Sequence, residues 1–222
     1  MIRTDHRTDR DALLDAALAH VPFDGMNDRA LIAGARDLGM SPDLARVHFP
    51  QGGAGLAAAY HRRADAMLKD SLAQTPPGGR FRERVAEAIW RRLMLVDPEL
   101  VRAGASTLAL PQNAALAARL VWETADVIWT GLGDGSRDVN WYSKRATLSA
   151  VISATVLFWL GDTLPDHQDT RAFIDRRIDG VMRFEQVKSS LRKLPGAEKL
   201  SRMAFGWIRA PEPRDLPGRT RP

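Results

Sequence analysis

Sixteen consecutive residues, Ala146 to Gly161, read ATLSAVISATVLFWLG and carry no charge. Such a run must leave water, and only a few structures let it. As a helix it rises only about 24 Å, short of the roughly 30 Å hydrocarbon core of a bilayer, so a buried helix is expected rather than a membrane span. Leu148, Val151, Ile152, Thr155, Val156, Trp159 and Leu160 share one stripe, while Leu157 and Phe158 lie off it. The helix is therefore apolar on more than one side, which makes it central, or places it against a second subunit or a lipid.

Apolar residues recur at helical spacing through the rest of the chain, and no alternating run of β-branched residues calls for a sheet. The expected fold class is all-α. Leu13, Leu14, Ala17, Leu18 and Val21 predict a first helix stopped by PFDG; Asp28 is placed to cap a second through Gly39. SPDLARVHF follows, with Ser41 as N-cap and Pro42 at the first helical position. Helix, Gly-containing turn and short helix make a helix-turn-helix signature, which a plain helical hairpin also explains. A long helix over about 53–73 ends at the Pro/Gly break TPPGGR; helices are expected near 80–95, 98–110, 112–131, 138–161 and 166–186. The organisation read from this is a helix-turn-helix-like part over 1–74, a helical part over 80–186, a linker and amphipathic helix over 187–210, and a disordered tail over 211–222.

In the tail, Leu200, Met203, Ala204, Trp207 and Ile208 share a face, with Lys199, Arg202 and Arg209 opposite. This pattern suits a helix docked on the body or an interfacial membrane helix, for which Lys199, Leu200, Arg202, Met203, Trp207 and Ile208 are the contact residues. The net charge of +5 and pI near 10.1 point to a polyanionic partner. MIRTDHRTDRDALL lacks an apolar h-region, and Asp5, Asp9 and Asp11 argue against an acidic-poor transit peptide. A cytoplasmic location is expected, peripheral on the inner face of the cytoplasmic membrane.

Motifs for chemistry are sparse. The chain has no cysteine, which excludes disulfides and thiolate nucleophiles. His6, His20, His48, His61 and His167 are scattered without metal-ligand spacing, so no metal and no cofactor are expected. Gly52, Gly53 and Gly55 lack the strand and the Lys-Ser/Thr of a phosphate loop. Ser143, Ser149, Ser153, Asp134 and Asp138 assemble no triad, and an enzyme is not expected. The second helix of the helix-turn-helix offers DNA only Arg46 and His48 against Asp43. By contrast, helices 112–131 and 138–161 hold more apolar surface than one small core needs. Trp122, Val127 and Trp129 on the first, with Trp141, Tyr142, Val151, Ile152, Thr155 and Trp159 on the second, are the candidates to line a site for an apolar ligand. Asp138 is placed to cap the second helix, and Trp141 and Tyr142 mark either a half-buried helix start or the mouth of that site.

Two stretches carry a resemblance. LVWETADVIWTGLGDGSRDVNWYSKRATLSAVISATVLFWLGD over 120–162, followed by RAFIDRRIDGVM at 171–182, resembles the ubiquinone-biosynthesis accessory family of the ninth protein of coenzyme Q biosynthesis, with NWYSKRATL its most specific piece. ALIAGARDLGMSPDLARVHFPQGGAGL is more loosely similar to the helix-turn-helix of TetR-type regulators, with VHFPQGGAGL where DNA-binding relatives carry an aromatic pair and a Lys. The resemblance implies a TetR-like homodimer that binds an isoprenoid lipid or quinone at an anionic membrane surface, with residues 80–186 as its lipid-binding and dimerisation part. It implies a non-catalytic role, presenting ubiquinone intermediates to a modifying enzyme such as the demethoxyubiquinone hydroxylase, with Asp138, Trp141, Tyr142, Lys144 and Arg145 as the docking patch. No nucleic acid is expected as partner; the alternative is a TetR-type DNA-binding transcriptional regulator with a small-molecule pocket.

Overall fold

The computed structural model describes residues 6–136 and 139–192, with side chains over 9–136 and 140–180. Among the described residues the chain is all-α, as expected: α1 (His6–Asp24), α2 (Asp28–Asp37), α3 (Pro42–His48), α4 (Gly52–Gln74), α5 (Phe81–Met94), α6 (Pro98–Leu108), α7 (Ala114–Gly131), α8 (Val139–Trp159) and α9 (Gln168–Arg192). Short 3-10 turns precede α7 and α9. The expected cap Asp138 and the expected membrane residues Lys199, Leu200, Arg202, Met203, Trp207 and Ile208 lie outside the described residues. No described helix is long and apolar enough to cross a membrane.

Helices α1 to α3 bury Leu13, Leu14, Ala30, Leu31 and Phe49 in a first core, which the start of α4 completes with Leu56 and Ala57. Ser41 caps α3 as its spacing predicts, its Oγ accepting the Leu44 N–H at 3.2 Å. The cap of α2 is Asn27 rather than Asp28: Asn27 has extended backbone, and its Oδ1 accepts the N–H groups of Arg29 and Ala30. Asp28 becomes the first helical residue, where its charge still meets the positive end of the helix dipole. Gly53 explains PQGGAG without any phosphate, since a Cβ there would come within 2.3 Å of the Met26 carbonyl oxygen. The glycine lets α4 start in backbone contact with the α1–α2 connection.

The second half of α4 enters a second core. Leu68 and Leu72 pack there with Val85, Ala88 and Ile89 of α5, Ala125 and Ile128 of α7, Leu148, Val151, Ile152 and Trp159 of α8, and Ile174 and Ile178 of α9. The charge-free segment is thus the central helix α8. Its stripe is buried at Leu148, Val151, Ile152, Thr155 and Trp159, and Leu157, off the stripe, is 70% exposed. Asp162 turns the chain into α9: its carboxylate accepts the N–H and hydroxyl of Thr170 and the N–H of Leu164. Helix α6 lies across the junction, its Leu100, Ala103 and Leu108 packing on the first core and its Val101 on the second.

A neutral-walled cavity between α4 and α8

Between the two cores, helices α4 to α8 enclose a cavity of about 300 Å³. Its wall is apolar over most of its extent: Ile89 and Leu93 from α5, Leu100 and Val101 from α6, Leu120, Val121 and Ile128 from α7, Ile152 and Val156 from α8, with Met26 and Ala57 reaching in from the first core. Exposed Ala109, Ser153 and Leu157 also line it, so the cavity reaches solvent between the end of α6 and the middle of α8.

One side is polar. Asp65 and Arg92, both buried, pair through Arg92 Nε and Asp65 Oδ1 at 2.7 Å, and Arg92 Nη2 donates to the His61 carbonyl at 3.1 Å. The Thr124 hydroxyl donates to the Asp65 carboxylate at 3.0 Å, while His61 Nε2 lies 2.7 Å from the same hydroxyl oxygen. A hydroxyl that donates to a carboxylate accepts from the ring, so His61 carries its proton on Nε2. Burial pushes the His61 pKa below its usual value against the opposing pull of Asp65, which leaves the imidazole neutral near pH 7. Tyr60 Oη accepts the Asp97 N–H at 2.9 Å, and burial raises its pKa, so the phenol keeps its own proton. Every full charge on this wall is paired.

A group whose folded pKa lies below its unfolded value withholds a proton from the folded state. Stability tied to His61 is therefore complete above about pH 6.5 and is lost as the pH falls below that value toward the lower folded pKa. Glu123, Asp134 and Asp162 are shifted downward and act only at more acidic pH, near and below the ordinary carboxylate range. Urea midpoints should fall between pH 7.5 and 5, and His61→Gln should flatten that fall; an equal fall in the variant contradicts the assignment.

The sequence-derived site residues do not form one wall. Ile152 and Trp159 line the cavity just described. Trp129, Val151 and Lys144 border a second recess of about 620 Å³ between α5, α7, α8 and α9, where Trp129 stacks on Phe81 at 5.3 Å and donates its indole N–H to the Lys144 carbonyl. Trp122, Trp141 and Tyr142 form a half-buried aromatic cluster with centroids 4.8 to 6.3 Å apart. Val127 packs on the second core, and Thr155, fully buried, spends its hydroxyl on the Val151 carbonyl of its own helix; neither is a lining residue.

Arg145 also departs from expectation. Only 2% exposed, its guanidinium lies 4.0 Å from the Trp141 ring centroid and pairs with Asp126 at 2.6 Å and Asp134 at 3.2 Å. It fastens α8 to α7 and presents no charge to a partner. Lys144 bonds Asp134 and Ser136, which hold the Asp134 carboxyl below its usual pKa although burial pushes the other way. The polar wall of Tyr60, His61, Arg92 and Thr124 escaped the sequence reading; its one local trace is His61 and Asp65 at i and i+4 on an apolar helix face. Among the described residues no group of three or more His, Asp or Glu is placed to hold a metal ion.

Comparison with known proteins gives a consistent picture. A family model described as COQ9 matches residues 114–185. The mitochondrial ubiquinone biosynthesis protein COQ9 of Drosophila melanogaster is 33% identical over 187 residues, covering 81% of this chain and 57% of that one. The human protein of the same name is 30% identical, covering 80% and 60%. The Schizosaccharomyces pombe protein is 31% identical, covering 81% and 72%. The chain thus spans about three-fifths of the animal relatives it matches. These relatives are named as mitochondrial, which corrects the expected cytoplasmic location; that expectation rested on the missing apolar h-region and on Asp5, Asp9 and Asp11 within fourteen residues, and so short a stretch does not fix a compartment. The crystal structure of a TetR transcriptional regulator from Nitrosomonas europaea superposes with a TM-score of 0.61 at 19% identity, over 78% of this chain and 97% of that one, and so shares the fold.

Proposed function

We propose, because this chain belongs to the COQ9 family of ubiquinone biosynthesis proteins, that it is a non-catalytic lipid-binding accessory protein of that biosynthesis. It takes an isoprenoid quinone intermediate into the cavity between α4 and α8 and presents it to a modifying enzyme such as the demethoxyubiquinone hydroxylase. The observation that carries this reading is the cavity itself, apolar over most of its wall and open to solvent beside Leu157. Burial of carbon there is worth about 0.8 kcal/mol per CH₂ before the costs of association.

The way the polar side is used supports a role without catalysis. His61 is engaged by Thr124, and Asp65 by Arg92 and Thr124, so these groups have partners already and do not form a ready acid–base pair for a substrate. The Trp122, Trp141 and Tyr142 cluster is the surface that suits a partner enzyme, because half-exposed aromatic groups bury large area at little entropic cost. The sequence spacing of Leu200, Met203, Trp207 and Ile208 with Lys199 and Arg202, outside the described residues, would suit an anionic membrane as the source of the lipid if that stretch is helical. A DNA-reading role has less support: α3 turns Leu44 and Val47 to solvent, and its Arg46 is paired with Asp43.

Protein purified from a ubiquinone-making host should release a prenylated quinone or precursor into organic solvent, in amounts approaching one per chain by mass spectrometry. Extracts without any prenylated ring contradict the proposal.

A further inference from the structure

We infer that the recess between α5, α7, α8 and α9 binds an anionic amphiphile, a carboxylate or phosphate on a short apolar chain, with its head on the Arg84 guanidinium. This site is separate from the cavity between α4 and α8 and stands or falls independently of the ligand proposed there.

The recess, about 620 Å³, is of the size that small molecules occupy. Its floor is apolar: Val85, Leu132, Leu148, Val151 and Ile178 line it and are buried. An alkyl chain, which needs only apolar contact, suits that floor.

The charges around the recess do not cancel. Arg82 pairs with Asp179 at 3.0 Å, and Lys144 with Asp134 at 2.8 Å. Asp134, the one acid lining the recess among the described residues, also takes Arg145 at 3.2 Å, and Arg145 in turn holds Asp126. Arg84 is half-buried, lines the recess, and meets no carboxylate among the described residues; its Nη2 donates to the Leu132 carbonyl at 3.0 Å. A guanidinium does not shed its proton in a protein, so one positive charge on this wall is left without a counter-charge.

The contact atom follows from which nitrogens are taken. Nε is sealed inside the protein, and one N–H of Nη2 is spent on Leu132. Nη1 is neither sealed nor bonded to a described residue. With the second N–H of Nη2 it offers the end of the fork to two oxygens of one carboxylate or phosphate. A cation gains nothing here, because the Asp134 carboxylate is already shared by two bases, and a neutral alcohol leaves the Arg84 charge as it was.

Calorimetric titration of the full chain, stripped of lipid, with octanoate, octyl phosphate, 1-octanol, octylammonium and inorganic phosphate tests this. Octanoate and octyl phosphate should bind at least about tenfold tighter than 1-octanol, with octylammonium weakest, and inorganic phosphate at least about tenfold weaker than octyl phosphate. Whichever of the two anions binds tighter names the head group, and either order supports the inference. Arg84→Gln should bring both anions to within about twofold of the alcohol and leave the alcohol itself unchanged within about twofold. Ala105→Trp, which fills the other cavity, should leave octanoate within about twofold of wild type. Alcohol binding as tight as octanoate, anions undiminished in Arg84→Gln, octanoate lost in Ala105→Trp, or inorganic phosphate as tight as octyl phosphate overturns the inference. So does a wild type that binds neither anion, and that result leaves quinone binding in the other cavity untouched. Should Arg84→Gln not fold, Thr147→Trp places an indole in the recess from a half-buried lining position and gives the readout. Octanoate should then weaken at least about tenfold, and undiminished binding overturns the inference.

Discussion

Asp65→Ala should lower the stability of the folded chain by about 3–5 kcal/mol, among the largest losses available to a single substitution here. The Asp65 side chain is 6% exposed and that of Arg92 10%, and the carboxylate meets Arg92 at 2.7 Å and Thr124 at 3.0 Å. Removing it leaves a guanidinium between α4 and α5 with only the His61 carbonyl to face, and leaves the Thr124 hydroxyl only the more distant Leu120 carbonyl at 3.3 Å. Mutual attraction is not the main term, because taking both charges out of water costs much of what their contact returns. The asymmetry matters: the pair together is tolerated, and one member alone is not. Asp65→Leu combined with Arg92→Met should therefore recover most of what Asp65→Ala loses. Urea denaturation checks this, and a double variant as unstable as the single one contradicts the reading of the pair as a buried ion pair.

Local signals account for what the sequence made legible. Ser41 before Pro42 announces the start of α3 because a hydroxyl can reach an N–H three residues on, and the structure has that bond. The stripe from Leu148 to Trp159 reads as buried because apolar residues at i, i+3 and i+4 leave one side free of charge. Adjacent polar residues defeat the same logic by one position: Asn27 and Asp28 both suit a cap, and only backbone geometry selects Asn27.

What stayed hidden depends on distant contacts. Arg145, beside Lys144 and after a Trp-Tyr pair, looks like an exposed base, yet it is drawn inward by Asp126 and Asp134, which lie 19 and 11 residues away. The polar wall draws His61, Arg92 and Thr124 from three helices, and no spacing along the chain brings them together. The sequence offers Trp159 only as an apolar side chain on a buried stripe; its unpaired donor becomes visible only once its surroundings are known.

The second large effect concerns the cavity. Ala105 is half-buried on α6 and lines it, so Ala105→Trp places an indole in the space proposed for the ligand. Filling existing space costs the fold little, in contrast to overpacking a full core, and the melting temperature should stay within about 5 °C of wild type. Loss of several buried carbons and of the ring contacts should weaken quinone binding at least about a hundredfold, or ~3 kcal/mol. The most direct measurement is calorimetric titration of the decyl benzoquinone into delipidated wild type and Ala105→Trp. One site per chain in wild type, with no detectable binding to the folded variant, is the predicted result; undiminished binding to Ala105→Trp would put the ligand elsewhere, at the recess beside Trp129 or the Trp141 cluster, and contradict the assignment of this cavity.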